Sequence, residues 1–296
     1  MSSPTPVWFI TGTSSGFGYE IAVQALKLGH TVIATARTPS RIQALADLGA
    51  HTLAFDVTSP LADIQAVAED VFAKHGRIDY LINTAGYVLE GAVEEVTPEE
   101  VYKSFHTNVF GVMNTIKVFL PHIRAQPLGA NGVRSTVVTF GSLASWRSMS
   151  GISVYSMTKW ACSALAECLY DELTPFNIRA TVVEPGYFRT GFLNPGTRMH
   201  AEARIDAYDA ENTPTGQRRR LLVDRDGKQL GDVVKGCKVV VEVLTGTGVG
   251  SGKELPVRIV LGSDTEEVIR DKFSKTTKLL DEWSDVLRST DYPEGQ

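Results

Sequence analysis

The stretch Thr11-Gly12-Thr13-Ser14-Ser15-Gly16-Phe17-Gly18 decides how this chain folds. It follows the apolar run 7–11, a predicted buried strand, and it opens an amphipathic segment at 17–28, a predicted helix. Glycines at a strand-to-helix turn let backbone N–H groups approach a phosphate, and the helix dipole favours an anion there. The stretch therefore predicts a dinucleotide-binding loop, with a tight turn that binds nothing as the alternative.

Short β-branched runs alternate with longer amphipathic segments after this loop, which is typical of a parallel sheet covered by helices on both faces. Further strands are predicted at 31–35, 51–55, 79–83, 133–140, 178–183 and 256–261. Further helices are predicted at 39–48, 60–75, 99–125, 153–175 and 232–244. We therefore predict a single α/β domain over residues 1–296, built on a doubly wound parallel sheet of the Rossmann type.

One segment, residues 189–228, interrupts the alternation and is rich in Arg, Asp, Glu, Gly and Pro. Long segments of this kind inside a domain are commonly functional. We predict that 189–228 is a substrate lid insertion that becomes ordered when ligand binds. The chain then ends in a predicted helix at about 265–287, whose apolar residues share one face.

Composition limits the partners of the chain. Its 296 residues are 43% hydrophobic and 21% charged, as in ordinary globular domains, and 29 basic against 34 acidic residues give a net charge of −5. A negative chain has no general attraction for nucleic acid or an anionic membrane, and no apolar run approaches the ~20 residues that span a bilayer. No secretory signal is visible before residue 7. We therefore expect a cytoplasmic protein with no nucleic-acid or membrane partner.

Cysteine and histidine patterns predict no metal site. Cys162, Cys168 and Cys237 lack zinc-ligand spacing, and we interpret them as reduced packing residues. The six histidines form no HExxH pair, so no metal is assigned. Two other patterns are discounted. Residues 246–253 superficially resemble a phosphate loop, but Glu254 stands where the motif requires Ser or Thr after the lysine. The three arginines at 218–220 are soon followed by acidic residues, which is typical of a solvated surface.

Several motifs match one known family. The spacing Gly-x-x-x-Gly-x-Gly at 12–18 resembles the TGxxxGxG motif of short-chain dehydrogenases/reductases. Residues 83–86, Asn-Thr-Ala-Gly, resemble the NNAG motif of that family, although Thr84 replaces an asparagine. Asn108 resembles its helix asparagine, and Gly141 stands where the family often has serine. The resemblance covers roughly residues 7–192 and implies a nicotinamide dinucleotide cofactor.

The resemblance assigns a set of cofactor contacts. It implies an adenine-contacting pair after the third strand and a nicotinamide-flanking segment after the sixth. The residues implied to bind the cofactor are Gly12, Thr13, Ser14, Ser15, Gly16, Phe17, Gly18, Arg37, Asp56, Val57, Asn83, Ala85, Gly86, Tyr155, Lys159, Pro185, Gly186, Phe188 and Thr190.

The end of the second strand predicts which cofactor binds. A carboxylate there would accept a hydrogen bond from the ribose 2′-hydroxyl of NAD, but the sequence has Ala36 followed by Arg37. The guanidinium of Arg37 offers a fork of donors that can pair with a 2′-phosphate. We therefore predict NADP(H) as the cofactor, against the alternative of a merely solvated arginine.

A second pattern predicts the reacting centre. Tyr155 and Lys159 lie four residues apart in a predicted helix, and Ser142 follows a predicted strand at the edge of the sheet where ligands bind. The three resemble the Ser-Tyr-Lys triad of the family. The resemblance implies that Tyr155 exchanges the proton, Lys159 stabilises its phenolate and contacts the nicotinamide ribose, and Ser142 stabilises the carbonyl oxygen. Asn108 is implied to hold a water that links Lys159 to solvent.

The predicted reaction interconverts a ketone or aldehyde and an alcohol on a fairly apolar small molecule, with NADP(H). Apolar residues flank the triad in sequence and suggest such a pocket: Trp146, Met149, Tyr187, Phe188 and Phe192. Two alternatives remain, which are epimerisation or dehydration on the same scaffold and a non-catalytic NADPH-binding regulator. By resemblance the chain is expected to form a homodimer or homotetramer through helices 99–125 and 153–175.

Overall fold

The computed structural model of the protein describes residues 5–191 and 197–292. The strands are β1 (Val7–Thr11), β2 (Thr31–Ala36), β3 (His51–Ala54), β4 (Tyr80–Asn83), β5 (Val88–Glu90), β6 (Ser135–Phe140), β7 (Ile178–Pro185), β8 (Arg198–His200) and β9 (Arg258–Leu261). The α-helices are α1 (Gly16–Lys27), α2 (Gln43–Asp47), α3 (Leu61–His75), α4 (Pro98–Phe105), α5 (Gly111–Ala125), α6 (Ser153–Leu173), α7 (Asp206–Asp209), α8 (Pro214–Arg225), α9 (Val233–Thr245), α10 (Ser263–Glu282) and α11 (Ser284–Arg288).

A seven-stranded parallel sheet runs through the molecule in the order β3-β2-β1-β4-β6-β7-β9. The strand order reverses between β1 and β4, the position at which doubly wound sheets bind ligands beyond their carboxyl ends. Each strand of this sheet was predicted, and its bounds agree with the prediction to within two residues. The Rossmann-type fold is therefore confirmed.

The sheet is buried on both faces because its central strands are apolar almost throughout. In β1, Trp8 and Ile10 pack in the cluster that contains residues of α1 and α9. Phe9 points to the opposite face, since alternate residues of a strand do so, and packs at 4.6 Å between ring centres on Phe119 of α5. These two hydrophobic clusters, one on each face of the sheet, hold the strands in place. The site lies at the carboxyl ends of these strands.

Three predicted helices are divided in the structure. The helix predicted at 39–48 is a 3-10 helix at Pro39–Ile42 followed by α2. The helix predicted at 99–125 is interrupted by a π-helical turn at His106–Phe110, a feature that is common at functional sites. The C-terminal helix predicted at 265–287 breaks at Trp283, whose φ of −108° and ψ of 8° depart from helical values.

The predicted lid, residues 189–228, contains β8, α7 and α8 in its described part. β8 pairs with β5 in parallel as a second, two-stranded sheet. Neither strand is expected from the sequence, because strands of three residues are too short to show alternation.

Buried charges hold the lid against the body of the domain. Glu90 in β5 is 1% exposed and pairs with Arg198 of β8 and with Arg219 of α8. Arg219 also pairs with Glu95, which is fully buried and accepts a hydrogen bond from the backbone N–H of Ile205 (3.0 Å). Because buried charges are costly unless paired, these contacts dock the described part of the lid on the body. Mobility of the lid stays a prediction.

Candidate active site

A cavity of about 840 Å³ opens at the carboxyl ends of the parallel strands. Residues that follow β1, β2, β4, β6 and β7 line one side, because the parallel arrangement brings these strand ends to one edge of the sheet. Residues of β5, β8 and α8 line the other side. The cavity therefore lies between the sheet and the lid.

Two glycines of the loop after β1 are required by close approach of the backbone. Gly12 has a φ of +70°, and a β-carbon there would lie 2.8 Å from the Cα atom of Ala85. A β-carbon at Gly18 would lie 2.7 Å from the carbonyl oxygen of Gly12. The loop consequently lies close against the end of β4, and the first turn of α1 lines the cavity. A helix N-terminus in this position suits a diphosphate.

Thr84, which departs from the family motif, joins two neighbouring strands. Its hydroxyl donates to the carbonyl oxygen of Thr11, the last residue of β1. In return, Thr11 Oγ1 accepts a hydrogen bond from the backbone N–H of Ala85 (3.2 Å). The replacement of asparagine by threonine therefore ties the ends of β1 and β4 together beneath the glycine loop.

Most residues predicted to bind the cofactor line this cavity: Gly12, Ser14, Ser15, Gly16, Phe17, Gly18, Arg37, Asp56, Val57, Ala85, Gly86, Tyr155, Lys159, Pro185, Gly186, Phe188 and Thr190. Thr13 and Asn83 lie behind it. The Thr13 hydroxyl donates to the carbonyl oxygen of Thr35 (3.0 Å), and the Asn83 amide donates to that of Val138 (3.1 Å). Both side chains hold the backbone beneath the cavity, and direct contact of either with a cofactor stays a prediction.

Two arginines lie at the end of the cavity next to β2. Arg37 and Arg41 both line it and are exposed, and Ala36 beside them is 6% exposed. Neither guanidinium has an ion-pair partner among the residues that the structure describes. Arg41 was missed in the sequence because it lies outside the family motif, although it follows Arg37 by four positions. This end of the cavity therefore carries two cations and no carboxylate at position 36.

The three predicted catalytic side chains meet at the cavity wall. Tyr155 and Lys159 on α6 are 6% and 7% exposed, and Lys159 Nζ lies 5.6 Å from the centre of the Tyr155 ring. The Ser142 side chain forms a hydrogen bond with that of Tyr155. Lys159 Nζ donates to the carbonyl oxygen of Phe140, at the end of β6 (2.8 Å). The end of β6 and the first turns of α6 thus assemble the centre.

Burial controls the protonation of this pair. It raises the pKa of the Tyr155 phenol, and the hydrogen bond with Ser142 offsets only part of the rise. Burial also lowers the pKa of the Lys159 ammonium. A raised pKa keeps Tyr155 protonated at neutral pH, so in this state the phenol is suited to donate a proton. Positive charge close to Tyr155, such as that of Lys159, favours its phenolate.

A buried polar network supports Ser142 from below. Ser145 Oγ accepts a hydrogen bond from the backbone N–H of Ser142 (3.2 Å) and donates to the carbonyl oxygen of Lys159 (2.8 Å). Ser163 Oγ lies 2.9 Å from Ser145 Oγ. A β-carbon at Gly141 would lie 2.5 Å from Ser163 Oγ, which explains why glycine stands at this second departure from the family pattern.

Glu184 is the charged member of this network. It is fully buried in β7, lies 2.6 Å from Ser163 Oγ, and pairs with Arg258 of β9. Burial raises the pKa of Glu184, while the hydrogen bond from Ser163 and the charge of Arg258 oppose the rise. Sequence reasoning missed this network because its members, from Ser142 to Glu184, lie in the turn after β6, in α6 and in β7 and form no motif.

Asn108 lies in the π-helical turn, at the edge of the centre. Its Oδ1 accepts a hydrogen bond from the backbone N–H of Tyr87 (3.0 Å), and its Nδ2 donates to the carbonyl oxygen of the same residue (2.9 Å). A β-carbon at Gly86 would lie 3.1 Å from Asn108 Oδ1 and 3.9 Å from Lys159 Nζ. The structure therefore brings Asn108 close to Lys159, and its role toward water stays a prediction.

The lid side of the cavity is mixed: Met199 and Leu222 are apolar, whereas Thr190, Thr197, His200 and Glu202 are polar. Of the apolar residues predicted there, Met149, Tyr187 and Phe188 line the cavity, whereas the indole N–H of Trp146 points to Glu184 (2.8 Å). Phe192 lies outside the described residues. The remaining apolar wall comes from elements that the sequence did not predict to be there: Val88, Leu89, Met199 and Leu222.

Within the described ranges, 5–191 and 197–292, every helix is too short or too polar to cross a bilayer. The same ranges contain no group of three or more His, Cys, Asp or Glu side chains that could hold a metal ion.

Comparison with known proteins places this fold and site in a family of oxidoreductases. The family model for short chain dehydrogenases matches residues 6–200. The oxidoreductase BOA17 of Botryotinia fuckeliana is 32% identical over 266 residues, which cover 89% of this chain and 91% of that protein. A short-chain dehydrogenase from Streptomyces avermitilis has a TM-score of 0.84 at 34% identity, over 98% of this chain and 100% of that one. The chain therefore belongs to the short-chain dehydrogenase family.

A further relative has a more specific name. The 3-ketodihydrosphingosine reductase of Bacteroides thetaiotaomicron is 38% identical over 184 residues, which cover 62% of this chain and 64% of that protein.

Proposed function

We propose that the protein is an NADPH-dependent oxidoreductase that interconverts a ketone or aldehyde and an alcohol. The observation that carries the proposal is that Tyr155, Lys159 and Ser142 line one cavity together with the glycine loop. A non-catalytic regulator would have no use for a buried phenol hydrogen-bonded to a serine beside the cofactor groove. The membership of the chain in an oxidoreductase family also supports a catalytic function.

The residues at the cavity fit a phosphorylated dinucleotide. The N-terminus of α1 suits the diphosphate, and the cations of Arg37 and Arg41 suit a 2′-phosphate. Ala36 offers no carboxylate to a ribose 2′-hydroxyl, which disfavours NADH. Lys159 stands where it can contact the nicotinamide ribose. The bound nicotinamide supplies or accepts the hydride.

Two side chains of the protein are proposed to act on the carbonyl group: one donates the proton, and the other stabilises the oxygen. Tyr155 donates its proton to that oxygen during reduction, which suits a phenol whose pKa is raised by burial. The Ser142 hydroxyl donates a second hydrogen bond and so stabilises the negative charge that develops on the oxygen. The network from Ser145 to Glu184 holds the backbone of Ser142 in place.

Carbonyl reduction is favoured over epimerisation or dehydration on this scaffold. The Bacteroides relative is named as a reductase of a keto compound. The apolar side chains of Val88, Leu89, Met199 and Leu222 in the cavity wall support a substrate body that is at least partly apolar.

The test is a panel of ketones and aldehydes with NADPH, and of secondary alcohols with NADP⁺. Tyr155→Phe should lower kcat by roughly 10²- to 10⁴-fold and leave NADPH affinity nearly unchanged, because only the proton-transfer group is lost. Tyr170→Phe is the matched control, since Tyr170 lies on the same helix and is 43% exposed. Retention of more than half the rate in Tyr155→Phe contradicts the mechanism. Turnover without cofactor consumption indicates epimerisation or dehydration instead.

A further inference from the structure

Arg218, the first of the three arginines at 218–220, contacts the cavity wall and is not simply solvated. Its Nη1 donates a hydrogen bond to the hydroxyl oxygen of Tyr187 (3.2 Å). Its Nε is buried and has no hydrogen-bond partner among the residues that the structure describes. No carboxylate in the described ranges pairs with this guanidinium. A partly buried cation without a counter-charge is costly, so its contact with Tyr187 calls for a functional explanation.

Tyr187 is held in place by both its backbone and its hydroxyl. Its N–H donates to Asp264 Oδ2 (2.8 Å), and its carbonyl oxygen accepts a hydrogen bond from the N–H of Gly231 (3.0 Å). The residue is only partly buried and lines the cavity. A molecule in the cavity therefore meets a tyrosine whose position is fixed.

The hydroxyl of Tyr187 is a donor that lacks a good acceptor. A guanidinium only donates hydrogen bonds, so the hydroxyl oxygen accepts from Arg218 and its hydrogen is left for another group. The acceptor that it has among the described residues is Met149 Sδ (3.5 Å), and a thioether sulfur accepts only weakly. Because hydrogen bonds in a chain polarise one another, the contact with Arg218 makes this hydroxyl a stronger donor.

Tyr187 faces the part of the cavity that contains the reacting centre. The next residue, Phe188, packs on Phe17 of α1 (5.2 Å between ring centres), whereas Tyr187 packs against the cluster that contains Met149 and Tyr155. Burial is the main cause of the raised pKa of the Tyr155 phenol, and Tyr187 lies close enough to contribute to the rise. This placement favours the substrate, whose carbonyl is proposed to lie at Tyr155, over the diphosphate and adenosine of the cofactor.

The charges around Tyr187 favour an oxygen that carries partial negative charge. Arg225 Cζ lies 5.8 Å from the centre of the Tyr187 ring, so a second cation adjoins the same side chain. Neither this guanidinium nor that of Arg218 has an ion-pair partner among the described residues. A carbonyl oxygen is negatively polarised and only accepts hydrogen bonds, so it matches both the donor and the charges.

We propose that Tyr187 is a specificity-determining residue whose hydroxyl, polarised by Arg218, donates a hydrogen bond to a second carbonyl oxygen of the substrate. The proposal rests on the proposed function and narrows its substrate class. The substrate is then a ketone, or the corresponding alcohol, that carries a further carbonyl group on a partly apolar body.

The experiment uses straight-chain ketones that bear a methyl ester one, two or three carbons from the reacting carbonyl. Each is paired with a ketone in which an alkyl group of the same length replaces the ester. Wild type, Tyr187→Phe and Arg218→Met are assayed at saturating NADPH, and NADPH affinity is measured by fluorescence titration. The controls are Tyr170→Phe and Arg220→Met, which make the same chemical changes at exposed positions. The ratio of kcat/KM within a pair is compared between proteins, so the intrinsic reactivity of each ketone cancels.

For at least one pair, the ratio of kcat/KM for the keto ester to that for the plain ketone should be roughly 2- to 13-fold lower in Tyr187→Phe than in wild type. This is the range of one neutral hydrogen bond. Arg218→Met should lower the ratio in the same direction, and both controls should keep the wild-type ratio.

A ratio that is the same in wild type and Tyr187→Phe for every pair overturns the inference and leaves the proposed function standing. An unchanged ratio in Arg218→Met overturns the role given to Arg218. A matching loss of NADPH affinity in Tyr187→Phe assigns the hydroxyl to the cofactor and also overturns the inference. Failure of wild type to reduce any ketone overturns both the inference and the proposed function.

Discussion

At the scale of single residues, Arg37 is proposed to decide between two cofactors that differ by one phosphate. A charge-assisted hydrogen bond contributes about 1.5–3 kcal/mol, so Arg37→Ala should weaken NADPH binding by roughly 10- to 150-fold. Arg41 lines the same end of the cavity and should still bind the phosphate in Arg37→Ala. The loss of NADPH affinity in this single variant should therefore lie in the lower part of that range. Arg270→Ala, an exposed arginine on α10, is the control.

The double variant Ala36→Asp with Arg37→Ala should reverse the preference. The added carboxylate repels a 2′-phosphate and offers an acceptor to the ribose 2′-hydroxyl of NADH. The measurement is kcat/KM with each cofactor in wild type and in the double variant. A wild type that prefers NADH, or a double variant that still prefers NADPH, shows that Arg37 was misinterpreted.

Residues of the site were predictable from sequence where they repeat a local pattern. Tyr155 and Lys159 are four positions apart on a helix, and Gly12 and Gly18 belong to one loop, so their spacing alone carries the signal. Glu184 carries no such signal. Its contact with Ser163 depends on β7 and α6, which meet only in the folded chain.

At the scale of elements, the lid depends on Arg219. Arg219→Met should leave Glu90 and Glu95 buried without this partner, and breaking a buried ion pair costs about 3–5 kcal/mol. We expect faster amide hydrogen exchange in β8 and α8, with little change in the central strands. The control is Arg220→Met, because the exposed Arg220 donates only to backbone carbonyl groups. Equal protection of α8 in wild type and Arg219→Met contradicts this role.

Low pH should weaken the ion pair between Glu95 and Arg219. Burial by itself would raise the pKa of Glu95, but hydrogen bonds from backbone N–H groups and from Arg219 lower it below its usual value of 4.5. A carboxyl whose pKa is lower in the folded state stabilises that state fully above the unfolded-state pKa and loses the contribution as the pH falls. The stabilisation by Glu95 should therefore be present at neutral pH and disappear below about pH 4.5.

The pH dependence can be measured with Glu95→Gln. Its Tm should lie below that of wild type at neutral pH, and the difference should shrink as the pH falls through about 4.5 toward the lowered pKa. Glu267→Gln, an exposed glutamate on α10, should follow wild type throughout. A Tm difference that is the same in neutral and acidic buffer argues against the ionised form of Glu95 as the source of the stability.

Long, buried strands were predicted correctly from the sequence, whereas short strands were missed. The central strands were found because buried parallel strands are nearly continuous apolar runs bounded by turn residues. β5 and β8 were missed because each has three residues, and because β8 owes its position to ion pairs with Glu90. The division of the helix at 99–125 was missed because nothing local in the sequence marks the π-helical turn, whose Asn108 contacts Tyr87, 21 positions earlier in the chain.

At the scale of the whole molecule, a homodimer or homotetramer through α4, α5 and α6 stays a prediction. The helical segment 98–125 exposes large apolar side chains, including Phe110 in the π-helical turn (42%) and Met113 in α5 (45%), which lie three positions apart. Light scattering at micromolar concentration should give at least the mass of a dimer. Phe110→Lys with Met113→Lys should give a monomer, whereas Leu280→Lys on α10 should not change the mass. A monomeric wild type contradicts the prediction.

The pairing of β5 with β8 also bears on the order in which the chain acquires its structure. Arg198 and Glu90, which face each other across this small sheet, are 108 positions apart, and β6, α6 and β7 lie between them. Closing so long a loop is entropically unfavourable until the intervening segments have been placed. The wall against which a substrate rests is therefore expected to form late, after the glycine loop, whose contacts with β2 and the end of β4 join residues that are nearer in sequence. A folding chain would then recognise its nucleotide before it can discriminate among the molecules that it oxidises or reduces.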